Sequence, residues 1–275
     1  MSILPNYPPA AIISALETNL SLLWRSYSQL PGAEMYDQTD LFWVSTPIPF
    51  PPFNGVVRSH LQPETVVSTV TTILHHFALR RVPMLWLVGP NTQPADLGAH
   101  LLANGLLYLH DDPGMALELH ALPSNLPVPP GFTVEPVNDL NSLRVWCGFT
   151  DQKIIAEALL AWGQILGLAP DRPIIHFLGR LNGRPVATST LVLDGHAAGI
   201  YNVMTVPEAQ HQGIGALMTV YPLSLARTRG YQLGVLQSSK MGTQLYRRLG
   251  FQEYCRFGIY LWPGEVALID ATRPN

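Results

Sequence analysis

The chain has 275 residues, of which 47% are hydrophobic and 13% charged, with a formal net charge of −3. That is apolar material enough for packed cores in two domains of roughly 130 residues each. The weak acidic balance and the lack of local charge runs exclude a basic field for nucleic acid or an anionic membrane. The opening MSILPNYPPA has no positive cluster followed by an apolar stretch, so no secretory signal is expected. No apolar run reaches the ~18 residues of a membrane span; the most apolar region, residues 66–88, is broken by His75, His76, Arg80 and Arg81. A cytoplasmic location is expected. Cys147 and Cys255 form no CxxC or Cys/His pattern, which predicts two buried free thiols and no metal site.

In chain order, helical spacing predicts a helix over residues 10–30, ended by Pro31-Gly32. Short strands are expected over 40–46 and 55–60, on either side of the proline-rich PIPFPPFN. A helix from Pro63 to about Arg80, a buried strand over 84–88, a helix from about Pro94 to Asn104 and a strand over 114–119 complete the first half. LPSNLPVPPG, residues 122–131, holds four prolines and a terminal glycine and suits an extended connector. The expected organisation is therefore a domain over 1–121, a linker over 122–131 and a second domain over 132–275.

The second half opens with a strand over 132–136 and two helices within 143–167, with Asp151 the expected N-cap of the second. Strands over 174–181, 186–193 and 197–206 follow, joined by Asn182-Gly183 and Asp194-Gly195. Asn-Gly and Asp-Gly between apolar runs are the strongest short-range hairpin signals, so these strands form an antiparallel meander. Helices over 213–229 and 241–249 then alternate with strands over 232–237 and 251–262, which gives a mixed α/β sheet covered by helices. LLANGL (101–106) echoes YRRLGF (246–251) and LWLV (85–88) echoes GVLQ (234–237), a period of about 145 residues that suggests two related domains.

The chemistry lies in a strand, IYNVMTV (200–206), a short loop, PEAQHQ, and Gly213-Ile214-Gly215 opening a helix. Glycines at such a turn let the backbone approach an anion, and the first N–H groups of the helix have no internal partners. A dinucleotide-binding fingerprint fails because its third glycine falls at Met218, and no Gly-Lys-Ser/Thr follows for a P-loop.

QHQGIG (210–215) matches the Q/R-x-x-G-x-G/A signature of the GNAT superfamily of N-acetyltransferases. The resemblance continues through TVP (205–207), the preceding meander and SKMGTQLYRRLGF (239–251). It implies a V-shaped split between the strands ending near Val206 and Gln237. There, acetyl-CoA would lay its pantetheine arm along backbone groups of Met204 and Val206. Its pyrophosphate would meet the N–H groups of His211, Gln212, Gly213, Ile214, Gly215 and Ala216. Tyr246 resembles the family tyrosine that protonates the departing thiolate, and Ser239 stands where relatives bond pantetheine or cap the helix. The loop departs from the family in carrying Gln210, His211 and Gln212 in place of arginine.

No general base is identified: Gly199 occupies the position where some relatives carry glutamate, and His176, His196, Glu157 and Glu208 read more readily as structural or solvated. Tyr201 and Asn202 are candidate liners of the acceptor pocket, and Trp43 and Asn54 candidate acceptor contacts from the first half. That half has no glycine loop and begins its helix with Pro63-Glu64, so it reads as a degenerate, non-binding copy, similar to tandem members of the superfamily. The expected function is acetyl transfer from acetyl-CoA to a primary amine of a small molecule, directly in a ternary complex. The alternatives are a peptide or protein acceptor, or an acyl-CoA-binding regulator without turnover.

Overall fold

The computed structural model describes Leu4 and residues 6–264. The chain opens with α1 (Pro9–Tyr27), followed by β1 (Glu34–Asp37), β2 (Leu41–Ser45), β3 (Gly55–Ser59), α2 (Val66–Arg80), β4 (Met84–Val88), α3 (Leu97–Ala103) and β5 (Leu107–Glu118). It continues through β6 (Phe132–Pro136), α4 (Leu140–Cys147), α5 (Lys153–Leu166), β7 (Ile174–Leu181), β8 (Arg184–Leu193) and β9 (Ala197–Thr205). The last elements are α6 (Ile214–Thr228), β10 (Leu233–Gln237), α7 (Thr243–Arg248) and β11 (Gln252–Trp262).

Two compact units form, and neither is a contiguous half of the sequence. One comprises the described parts of Met1–Leu23 and Pro113–Cys255; the other comprises those of Trp24–Asp112 and Arg256–Asn275. The reason is an exchange of strands. The Gly114–Glu118 end of β5 pairs antiparallel with β10, whereas the Gly258–Trp262 end of β11 pairs antiparallel with β4. Each unit thus completes its sheet with a strand from the other half of the sequence. The segment expected as a linker, 122–131, consequently lies inside the larger unit and not between the two.

In the smaller unit β1, β2 and β3 are antiparallel neighbours and β3 runs parallel to β4. One face of α2 supplies Val66, Val70, Ile73, Leu74 and Phe77 at helical spacing, and these pack with Val56, Trp86 and Leu97. Each such side chain contributes about 1.5–3 kcal/mol on full burial.

The larger unit has the strand order β5-β10-β9-β8-β7-β6, in which only β9 and β10 run parallel. The meander is present as the turn residues dictate. Asn182 (φ 51°) and Gly183 (φ 80°) both take the left-handed conformation of a tight hairpin turn. The Asp194-Gly195 connection works differently, because Asp194 Oδ1 accepts from the N–H groups of His196 and Ala197, both at 2.7 Å. α6 packs Ile214, Met218 and Leu223 into the core beneath the sheet, with Phe177, Leu191 and Ile200.

Some local expectations need correction. Asp151 is not a cap: α5 begins after Gln152, which makes no side-chain cap bond. The acidic cap belongs to α4, where Asp139 accepts from the N–H groups of Asn141 and Ser142 and the Ser142 hydroxyl completes a capping box. Those N–H groups hold the Asp139 carboxyl below its ordinary range. β5 starts at Leu107, earlier than the strand expected over 114–119. β1 was not anticipated. Cys147 is buried and Cys255 half-buried; both are free thiols, pushed up to about 12 by burial. Among the described residues, no helix is long and apolar enough to cross a membrane, and no group of three potential metal ligands gathers.

Candidate active site

The site is built where the parallel pair parts. β10 pairs with β9 only from Leu233↔Ala197 to Val235↔Gly199. Beyond that, Ile200–Thr205 has no partner strand on this side among the described residues. The splay is reinforced in β9 by a bulge: Thr190 faces Tyr201 and Thr188 faces Met204, so Asn202 and Val203 together oppose Ser189. Asn202 takes the left-handed conformation (φ 52°), which asparagine tolerates better than other side-chain-bearing residues.

The register decides which backbone groups face the open side. Val206 N–H donates to Val186 O at 2.9 Å, and Met204, two residues back, faces the same neighbour, β8. Val203 and Thr205 therefore turn their N–H and C=O groups outward. Met204 and Val206, the residues expected to meet an added pantetheine strand, thus turn their main-chain groups to β8 and not to the open side. Gln210 Nε2 donates to the outward Thr205 O at 3.1 Å, consistent with this direction.

The loop then turns through two left-handed residues, His211 (φ 62°) and Gly213 (φ 80°), into α6. Among the described residues no acceptor meets the N–H groups of His211, Gln212, Gly213, Ile214 and Gly215. Such a run of unpaired donors at a helix start forms an anion cradle. Ala216 does not join it, since its N–H is used within the first turn, on Gly213 O at 3.1 Å. The glutamine side chains brace the loop: Gln212 Nε2 donates to Glu208 O at 3.3 Å, as Gln210 does to Thr205. Gly215 lets α7 approach closely: a Cβ there would stand 3.2 Å from the Leu245 side chain, a tight contact.

Tyr246 lies on α7 with its ring buried, edge-on to Phe251 at 5.9 Å. Burial pushes its phenol up to about 12, so the hydroxyl is protonated at neutral pH, and among the described residues it has no hydrogen-bond partner. Ser239 Oγ accepts from Gly242 N–H at 3.2 Å in the turn that leads into α7, whose own N-cap, Gly242, has no side-chain cap bond.

On the same sheet face as Thr190 and Tyr201, Gly199 has its missing side chain replaced by a residue from far away in sequence. Asn19 of α1 is fully buried there, with Nδ2 donating to Val192 O, Asp194 Oδ2 and Ala197 O at 3.0–3.3 Å. Its Oδ1 accepts from the Tyr201 hydroxyl at 3.0 Å. This residue escaped the sequence reading, since a lone asparagine in an amphipathic helix carries no motif.

His176 is buried against the indoles of Trp146 and Trp162, with ring centroids at 4.2 and 5.0 Å. Burial pushes it down to about 3, so it is neutral and no base for ordinary amines. His196 is exposed at a turn, and Glu157 is an exposed partner of Lys153 at 3.7 Å.

Trp43 and Asn54 belong to the smaller unit. Trp43 is half-buried, beside His76 at 4.6 Å and stacked near Tyr36 at 6.2 Å. Asn54 is fully buried and committed to its own loop: Oδ1 accepts from Thr46 N–H at 2.6 Å, and Nδ2 donates to Ile48 O and Phe50 O. It pins the proline-rich loop and offers no free group to an acceptor.

Residues 138–251 match the model of the Acetyltransferase (GNAT) family. No match was found among curated protein sequences. Among solved structures, a GCN5-related N-acetyltransferase from Kribbella flavida is 19% identical with a TM-score of 0.67, over 93% of this chain and 98% of that one. A tandem GNAT protein from the clavulanic acid biosynthesis pathway is 14% identical with a TM-score of 0.59, over 85% and 84%. A GCN5-related N-acetyltransferase from Sphaerobacter thermophilus is 15% identical with a TM-score of 0.57, over 84% and 75%. At these identities the structural likeness speaks for the fold. The family match covers the segment that holds the splayed strands, the open N–H loop and Tyr246. Residues 138–251 are thus a GNAT-family acetyltransferase domain, and the protein is an acyltransferase.

Proposed function

We propose that the chain transfers the acetyl group of acetyl-CoA to a primary amine of a small molecule, directly within a ternary complex. The observation that carries this reading is the row of unpaired N–H groups from His211 to Gly215 at the mouth of a splayed parallel strand pair. Main-chain donors there suit a pyrophosphate even though the loop has no arginine, and the outward N–H groups of Val203 and Thr205 suit the amide-bearing arm. Acetyl-CoA supplies the thioester. The residues that would hold it are His211, Gln212, Gly213, Ile214 and Gly215, with Val203 and Thr205. Tyr246, held protonated by burial, would give its proton to the departing sulfur. The amine would lose its own proton to water, since no carboxylate stands on β9 and His176 is held neutral. The smaller unit, whose α2 opens without a left-handed glycine, takes no part in donor binding on this reading.

Calorimetry of acetyl-CoA binding by the wild type and by Gly213→Asp, followed by an amine screen with free-thiol detection, tests it. Binding that the variant abolishes supports the reading; well-folded protein that binds neither acetyl-CoA nor CoA overturns it. A regulator without turnover is the second reading, favoured by Gly199, which leaves the family's glutamate position without a side chain. Thiol release with any amine decides against it.

A further inference from the structure

We propose that Asn202 is the side chain that takes hold of the acceptor amine, and that His176, acting through Thr190, is the positioning residue that aims it. This rests on the acetyltransferase reading above and concerns the acceptor side of that site.

Asn202 is exposed, sits on the bulge of β9 and lies in the stretch without a partner strand on the β10 side. Two threonines of β8, themselves buried, fix it at both ends. Thr188 Oγ1 donates to the main-chain O of Asn202 at 3.0 Å, and Asn202 Nδ2 donates to Thr190 Oγ1 at 3.3 Å. Thr190 Oγ1 in turn lies 3.0 Å from His176 Nδ1.

The direction of this chain follows from the buried end. His176 Nε2 is fully buried with no hydrogen-bond partner, and the imidazole packs against two indole rings. The buried Thr190 hydroxyl accepts from Asn202 Nδ2, and among the described residues the one acceptor within reach of its own proton is His176 Nδ1. The proton therefore belongs on Nε2, which leaves Nδ1 as an acceptor. Thr190 then donates to Nδ1 and accepts from Asn202, so that its buried hydroxyl donates once and accepts once. With one N–H of Nδ2 turned to Thr190, Oδ1 of Asn202, which has no hydrogen bond among the described residues, is the acceptor left for an amine. A neutral carbonyl suits the task. It accepts an N–H of the amine without the charge that would stabilise the unreactive ammonium form.

The test uses the full-length protein saturated with CoA and titrated with ethylamine, followed by ¹⁵N NMR of side-chain amides and imidazoles. The expected result is a displacement of the Asn202 side-chain resonances and a neutral His176 protonated on Nε2. His176→Phe keeps the ring between the indoles and removes Nδ1. It should weaken ethylamine binding about fivefold to tenfold, the value of one hydrogen bond, while CoA affinity stays unchanged. Should that variant fail to fold, Thr190→Val breaks the same chain. Asn202→Gly keeps the left-handed backbone, removes the amide and should produce the same loss. Asn202 resonances that ethylamine leaves in place, a proton on Nδ1, or an Asn202→Gly variant with wild-type amine affinity would overturn the proposal. The backbone resonances of Gly213 and Gly215 report CoA binding in the same samples, so failure of the donor-site reading is seen separately.

Discussion

Asn19 of α1 occupies the space that a side chain on Gly199 of β9 would need: a Cβ there would overlap Oδ1 of Asn19 and stand 2.7 Å from its Cγ. The amide is fully engaged, with three acceptors around Nδ2 and the Tyr201 hydroxyl on Oδ1. One residue from the start of the chain thereby ties down the middle of the meander and fills the space that a side chain at position 199 would need. Asn19→Ala should strand buried carbonyls and cost about 1–3 kcal/mol, read as a lowered midpoint in urea unfolding. Gly199→Glu should be destabilised at least as much. A wild-type midpoint for Asn19→Ala would mean that the buried amide contributes nothing net.

Gly213 (φ 80°) is the hinge of the anion cradle. Gly213→Ala places a Cβ in the left-handed region at about 1–2 kcal/mol and should weaken CoA binding through the misaimed N–H groups. Gly213→Asp adds a negative charge beside the pyrophosphate and should weaken it by at least about tenfold, more at low salt than at high salt. Calorimetry at two ionic strengths checks both. A loss that is independent of salt would assign the effect to loop geometry alone.

The elements were legible where local chemistry decides them. Asn182-Gly183 dictates its turn, and Gly213, Gly215, Tyr246 and Phe251 carry a spaced motif that marks the loop of open N–H groups and the helix it opens. Relationships set by tertiary contact were not legible. The exchange of β5 and β11 leaves no local mark, so Pro127, Pro129 and Pro130 read as a linker although they lie within the larger unit. The expectation at Met204 and Val206 came from the family resemblance, whereas which groups of β9 face outward is set by the bulge at Asn202, where one extra residue reverses the parity. Asn54 looked available in a proline-rich loop and is in fact the residue that holds that loop closed.

Tyr246→Phe removes one oxygen whose only proposed role is the proton it gives to sulfur. The ring and its contact with Phe251 remain, so stability and acetyl-CoA affinity should change little, while kcat falls about 10²- to 10⁴-fold. Because burial raises the phenol to about 12, the acid form persists throughout the neutral and mildly alkaline range. The wild-type rate should therefore rise with pH as more amine is free, with no alkaline limb below about pH 10, the ordinary tyrosine range. A limb near pH 8–9 that vanished in Tyr246→Phe would show the phenol to be far more acidic than its burial implies.

His176 makes a separate prediction for stability. Its folded value near 3 lies below the ordinary 6.5, so between these values the unfolded chain binds one more proton than the native protein does. Stability from this group is complete above pH 6.5 and is lost as pH falls toward 3, by up to about 1.4 kcal/mol per pH unit. Urea unfolding from pH 7 down to pH 5 should show this slope on top of that of the carboxylates. His176→Phe has no proton to bind, so the difference in unfolding free energy between variant and wild type should grow in favour of the variant as pH falls. The sign distinguishes a buried neutral imidazole from an ion-paired one, whose loss would favour the wild type increasingly on the acid side. Parallel pH profiles would mean that the ring titrates alike in both states, and the packing against Trp146 and Trp162 would not be what keeps it neutral.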